Sequence, residues 1–279
     1  MDPLVSTAWL AEHAAGVRIV DASWYLPEHA RDARAEFAAA HIPGALFLDL
    51  ATLVDTESPL PMMCPPADEI TDRLALLGVA AGEPIVLYDA SPLRSAARAW
   101  WMLRMGGIAD VAILDGGFAR WRAEGHVEMG ESVIHASAAH RAGAPLATLR
   151  TFEAMRDNQA TRGEQVIDAR SPARFAGEEA ETRAGVAPGH IPESRNLHYA
   201  TLFNPDGTWK RGDALARAFA DAGVDLDRPA VATCGSGVTA AVLVFAAHLL
   251  GRRMALYDGS WAEWGARPDT IKATGRASG

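Results

Sequence analysis

Chemistry in this chain concentrates in "CGSGVT", Cys234–Thr239, which holds one of only two cysteines. The cysteine ends an apolar, β-rich run, "AVAT", and a helical pattern follows. In open parallel α/β sheets, ligands gather where strands end and loops enter helices. Gly235, Ser236 and Gly237 add little bulk, so the backbone can turn its N–H groups inward around an anion, and the next helix points its positive end the same way. Both effects favour thiolate over thiol, and the thiolate is the nucleophile. The plainer reading is a buried cysteine acting as a small hydrophobe; its place at a strand end speaks against that. A cysteine phosphatase needs an arginine six positions on, in C-x5-R, but position 240 is alanine, and Thr233 rather than histidine precedes the cysteine. The remaining chemistry is sulfur transfer, with the sulfur held on the cysteine as a persulfide.

Four segment pairs recur in the same order, which shows what positions this loop. IVDA (19–22) returns as VIDA (166–169), and HIPGA (41–45) as HIPES (190–194). PIVLYD (84–89) returns as PAVATC (229–234), and LDGGFARW (114–121) as YDGSWAEW (257–264). The spacing, 143 to 149 residues, is that of a domain. It is too long for a solenoid unit. Each copy alternates short apolar strands with helical patterns, which predicts a parallel sheet flanked by helices on both faces. The expected division is 1–125, a linker over 126–147 that is rich in Ala, Ser and Gly, and 148–279.

Duplication also sorts the candidates. His41 and His190 stand in matching H-I-P turns, and the tryptophans of FARW and WAEW are paired, so both sets read as structural. Cys234 has no such twin; its counterpart is Asp89. Cys64, in PMMCPP, reads as a loop bystander.

The C-G-S-G-V-T loop, the tandem halves and the H-I-P turns together resemble the two-domain rhodanese-like sulfurtransferases, over essentially the whole chain. The neutral loop is similar to the branch of that family that uses 3-mercaptopyruvate; the thiosulfate branch typically reads C-R-K-G-V-T. The resemblance implies that Cys234 is the nucleophile, within a catalytic loop of Gly235, Ser236, Gly237, Val238 and Thr239. It also implies that Arg174 and Arg183, nine residues apart in "ARFAGEEAETRAG", bind the donor's carboxylate. An arginine fork suits a carboxylate bidentately. No metal or organic cofactor is called for, and the first repeat is expected to be non-catalytic. The implied partners are a small sulfur donor and a thiol acceptor, thioredoxin-like proteins among them. In relatives an Asp and a His of the first domain are proposed to assist the loop serine; the matching positions are Ala51 and Met62.

Composition excludes other classes. A formal charge of −9 argues against nucleic-acid binding, which calls for a basic face. No apolar run reaches the roughly 20 residues that span a bilayer. No basic segment followed by an apolar stretch opens the chain, and two cysteines make no disulfide framework, so a cytoplasmic setting is expected.

Overall fold

The computed structural model describes residues 1–125, 127–132, 137 and 142–276. It divides into two compact units. The first holds Met1–Asp55, Cys64–Ala147 and Pro205–Trp209; the second holds Thr56–Met63, Thr148–Asn204 and Lys210–Gly279.

In the first unit, strands β1 (Leu4–Val5), β2 (Arg18–Asp21), β3 (Leu46–Phe47), β4 (Ile85–Tyr88) and β5 (Val111–Leu114) form one parallel sheet in the order β1-β5-β4-β2-β3. Its helices are α1 (Thr7–His13), α2 (Ala33–Ala39), α3 (Ala67–Leu76), α4 (Ala96–Met105) and α5 (Gly117–Glu124). The second unit repeats the plan. Strands β6 (Leu149–Arg150), β7 (Gln165–Asp168), β8 (Arg195–Asn196), β9 (Ala230–Thr233) and β10 (Ala255–Tyr257) are ordered β6-β10-β9-β7-β8. With them go α6 (Phe152–Thr161), α7 (Pro172–Ala176), α8 (Gly212–Asp221), α9 (Ala240–Leu249) and α10 (Ser260–Trp264). Among the described residues no helix is long and apolar enough to cross a membrane.

The central strands of both sheets are buried along their whole length, which is why they read as unbroken apolar runs rather than alternating ones. In α9 every residue from Ala240 to Ala247 is buried, so no polar stripe marks the helix. Helix starts are fixed locally: Ser6, Asp32, Thr151 and Ser171 each accept a first-turn N–H and so satisfy a donor the helix leaves unpaired.

The duplicated residues do matching structural work. His41 stacks on Phe37 and His190 on Phe175, with ring centroids 4.1 and 3.7 Å apart. Each Nδ1 meets the carbonyl of that same phenylalanine, at 2.9 and 2.8 Å. Burial lowers the pKa of His190 and favours the neutral ring. Trp121 and Trp264 are both buried.

Of the segment expected as a linker, 126, 133–136 and 138–141 lie outside the described residues. The others are stitched to the first unit: Glu128 bridges His41, Gly130 N–H donates to Ala38 O at 2.8 Å, and Leu146 N–H to Arg104 O at 2.8 Å. The second repeat closes alike, with Ala273 bridging His190. These are isolated bridges rather than strands, and short backbone bridges leave no periodicity to read.

Candidate active site

Strand β9 lies between β10 and β7, so the loops leaving all three parallel strands meet at one end of the sheet. Cys234 is the first residue past β9 and is 2% exposed. Gly237 turns the loop with φ +78°, a left-handed conformation that a side chain would strain. Ser236 and Val238 are buried, while Gly235 and Thr239 are partly exposed.

The loop after β10 grips this turn. Ser260 Oγ accepts the N–H of Cys234 at 3.2 Å and of Gly237 at 3.1 Å, and donates to Tyr257 O at 2.8 Å. Trp261 N–H donates to Cys234 O and Ala262 N–H to Gly235 O, each at 2.9 Å. Ser260 holds φ +49°, uncommon for a residue with a side chain; its three hydrogen bonds hold it there. The Gly237 amide, one of those expected to face an anion, is thus committed to Ser260, as is the amide of Cys234 itself. Gly237 shapes the loop, and the sulfur-facing donors must come from its other residues.

From the β7 side come the arginines. Ser171 caps α7, Pro172 opens it, and Gly177 ends it in the left-handed region at φ +76°. This five-residue helix presents Arg174 beside Gly235: a Cβ on Gly235 would lie 3.5 Å from Arg174 Nη2. Arg183 Nη1 reaches Gly235 O at 3.5 Å. Both predicted anchors therefore arrive at the residue next to Cys234. Cys64 is half-buried, with its Sγ 3.6 Å from Pro65 O; Ala51 is exposed, and Met62 has φ +60°.

Sequence reasoning missed the group behind the arginines. Arg174 Nη2 donates to Glu181 Oε2 at 2.5 Å, and Arg170 Nη1 to Glu181 Oε1 at 2.8 Å. Arg170 also grips Asp168 with Nε and Nη2. Burial opposes the charge on Arg170, but Asp168 and Glu181 outweigh it and raise its pKa, with a further contribution from Cys234. A fixed cation therefore stands within electrostatic reach of the sulfur. The signal was available: Arg170 and Ser260 each occur in one half only, their counterparts being Ser23 and Gly117.

Fold and site define a tandem α/β protein in which only the second repeat carries a cysteine at the end of its central strand. The model of the rhodanese-like domain matches residues 6–124 and again 149–267. Human 3-mercaptopyruvate sulfurtransferase is 41% identical, over 98% of this chain and 96% of its own. Chicken thiosulfate sulfurtransferase is 40% identical, over 97% and 96%. The crystal structure of SseA from Escherichia coli, described among 3-mercaptopyruvate sulfotransferases, superposes with a TM-score of 0.84 at 36% identity, covering 94% of this chain and 99% of that one. The chain belongs to the two-domain rhodanese-like sulfurtransferases.

Proposed function

We propose that the chain moves sulfur from 3-mercaptopyruvate to a thiol acceptor through a persulfide on Cys234, releasing pyruvate. Whole-chain identity does not choose the donor, since 41% and 40% separate relatives of two names. The observation carrying the choice is the convergence on Gly235: two arginines flank a loop whose own side chains, at Gly235 and Ser236, bring no positive charge. That arrangement suits a donor whose charge sits on a carboxylate remote from its sulfur, held by Arg174 and Arg183.

The Cys234 thiolate attacks the donor sulfur and an S–S bond forms. The carbon–sulfur bond breaks, its electron pair staying on carbon as the enolate of pyruvate, which takes up a proton. Ser236, with the amides of Gly235, Val238 and Thr239, holds the terminal sulfur. An acceptor thiolate, of a small thiol or a thioredoxin-like protein, then attacks that outer sulfur and regenerates Cys234. We assign this chemistry to the second repeat, 148–279, and a non-catalytic role to 1–125. A cytoplasmic setting, drawn from the cysteine usage, is tested by cell fractionation.

Side-by-side initial rates test the donor, with pyruvate and sulfite as the products read from mercaptopyruvate and thiosulfate. Faster pyruvate release supports the proposal; preference for thiosulfate replaces the donor and keeps the intermediate. Retention of one added sulfur without turnover would make the protein a sulfur carrier.

A further inference from the structure

The two repeats bury the same aspartate in different company. In the second, the Arg170 guanidinium fills the space beside Asp168, with Nη2 2.6 Å from Oδ2 and its carbon 4.7 Å above the Trp261 ring. The Arg170 side chain is 1% exposed. In the first repeat Asp21 ends β2 in the same register. Two residues on, Ser23 makes the same backbone bond, its N–H to Asp21 Oδ1 at 2.8 Å against 2.9 Å for Arg170 N–H to Asp168 Oδ1. Serine has no guanidinium to offer. Phe118 stands where Trp261 stands: each donates its N–H at 2.9 Å to the residue just past the central strand, Asp89 O or Cys234 O.

What Arg170 fills in one repeat is open in the other. Asp21, Ser23 and Phe118 line a cavity of ≈ 380 Å³ within the first unit, of the size that small ligands occupy. Arg31, Glu36 and Arg122 also line it. Arg31 is spent on Glu36, with contacts of 2.7 and 2.6 Å, and the Arg122 guanidinium stands 5.9 Å from the Phe118 ring centroid, at the outer limit of a cation–π contact. The hydrogen bonds to Asp21 come from Ser23 and the Tyr88 hydroxyl, which are neutral donors. Burial, with a lesser push from Asp89, raises its pKa to about 6. At neutral pH it is a buried anion lacking the cation its twin has.

We propose that this cavity is a binding site for a small guanidinium compound, held between the Asp21 carboxylate and the Phe118 ring as Arg170 is held in the second repeat. A carboxylate and an aromatic face are the two groups that recognise a planar cation.

A ligand-observed NMR titration of the full chain with methylguanidinium, against its neutral isostere methylurea, tests this. Saturable binding at about 1 mM or tighter is expected for the cation, in keeping with a ligand of five heavy atoms, and at least tenfold weaker binding for the urea. Asp21→Asn should weaken cation binding tenfold or more. Ser23→Arg should abolish it and raise Tm, by installing the missing guanidinium. No saturable binding, equal binding of methylurea, or unchanged binding in Ser23→Arg would each overturn the proposal. Ser23→Arg decides the matter if Asp21→Asn does not fold.

Discussion

The loop after β4 and the loop after β9 occupy the same place in their repeats, yet one holds a carboxylate and the other a thiol. Asp89 closes on its own loop: Oδ1 accepts Ser91 N–H at 3.0 Å, and Oδ2 accepts the N–H of Ala96, first residue of α4, at 2.8 Å. Burial raises the Asp89 pKa while those amides oppose the rise. Cys234 has no oxygen to satisfy the loop, and Ser260 takes two of its amides instead. The lesson is that the same turn, at the end of the central strand, is held in two ways: by its own carboxylate in one repeat and by Ser260 from the neighbouring loop in the other. The side chain placed there decides which of the two holds it.

The comparison breaks outright if Cys234 is dispensable. Cys234→Ser should abolish sulfur transfer, and Cys64→Ser should leave most of it. Intact-mass spectrometry after donor treatment should find one added sulfur in the peptide containing Cys234; sulfur on Cys64 would overturn the assignment.

Next in size is the burial of Asp21. Its folded-state pKa of about 6 lies above the unfolded value of about 3.9, so folding favours the protonated form. The stability this contributes is complete below pH 4 and is lost as pH rises through 6. A shift of about two units corresponds to about 3 kcal/mol. Denaturant unfolding from pH 4 to 7 should show that slope in the wild type, and a shallower one in Asp21→Asn.

A charge-assisted hydrogen bond contributes about 1.5–3 kcal/mol. Arg174→Ala or Arg183→Ala should therefore lower kcat/KM for 3-mercaptopyruvate by about ten- to a hundredfold. Turnover of thiosulfate, which has no remote carboxylate, should fall much less. Equal losses on both donors would remove the carboxylate role.

The smallest effect on activity comes from copying the first repeat. Ser260→Gly reproduces Gly117, whose φ is +58°. The variant loses the acceptor for two buried amides, at about 1–3 kcal/mol each, and relief of the strained backbone offsets part of that. Sulfur transfer should fall about tenfold and Tm should drop; Ser260→Ala should lose the same activity and more stability. Full activity in both would show that the loop holds its shape without Ser260.

Much was legible because it is local or repeated. Strand runs, helix caps and the glycines around Cys234 act over a few residues, and duplication separated the paired histidines from the unpaired cysteine. Arg174 and Arg183 became visible through a family resemblance, since two arginines among glutamates otherwise read as solvated loop residues. Glu181 stayed hidden for that reason: its side chain is 4% exposed and grips two arginines, yet it sits in an acidic, loop-like stretch.

The sequence by itself determined that a parallel α/β domain occurs twice, and that one copy alone ends its central strand in a cysteine ahead of a glycine turn. Those properties rest on backbone preference and short-range hydrophobic pattern, which each segment carries within itself. Tertiary structure alone decided that Ser260 clamps Cys234, that Arg170, Arg174 and Glu181 form one ion-paired group behind it, and that the first repeat has a cavity where Arg170 would be. These contacts join residues on separate strands and loops, and they exist because parallel order sets β9 between β10 and β7. That order brings three strand ends together at distances no linear pattern encodes.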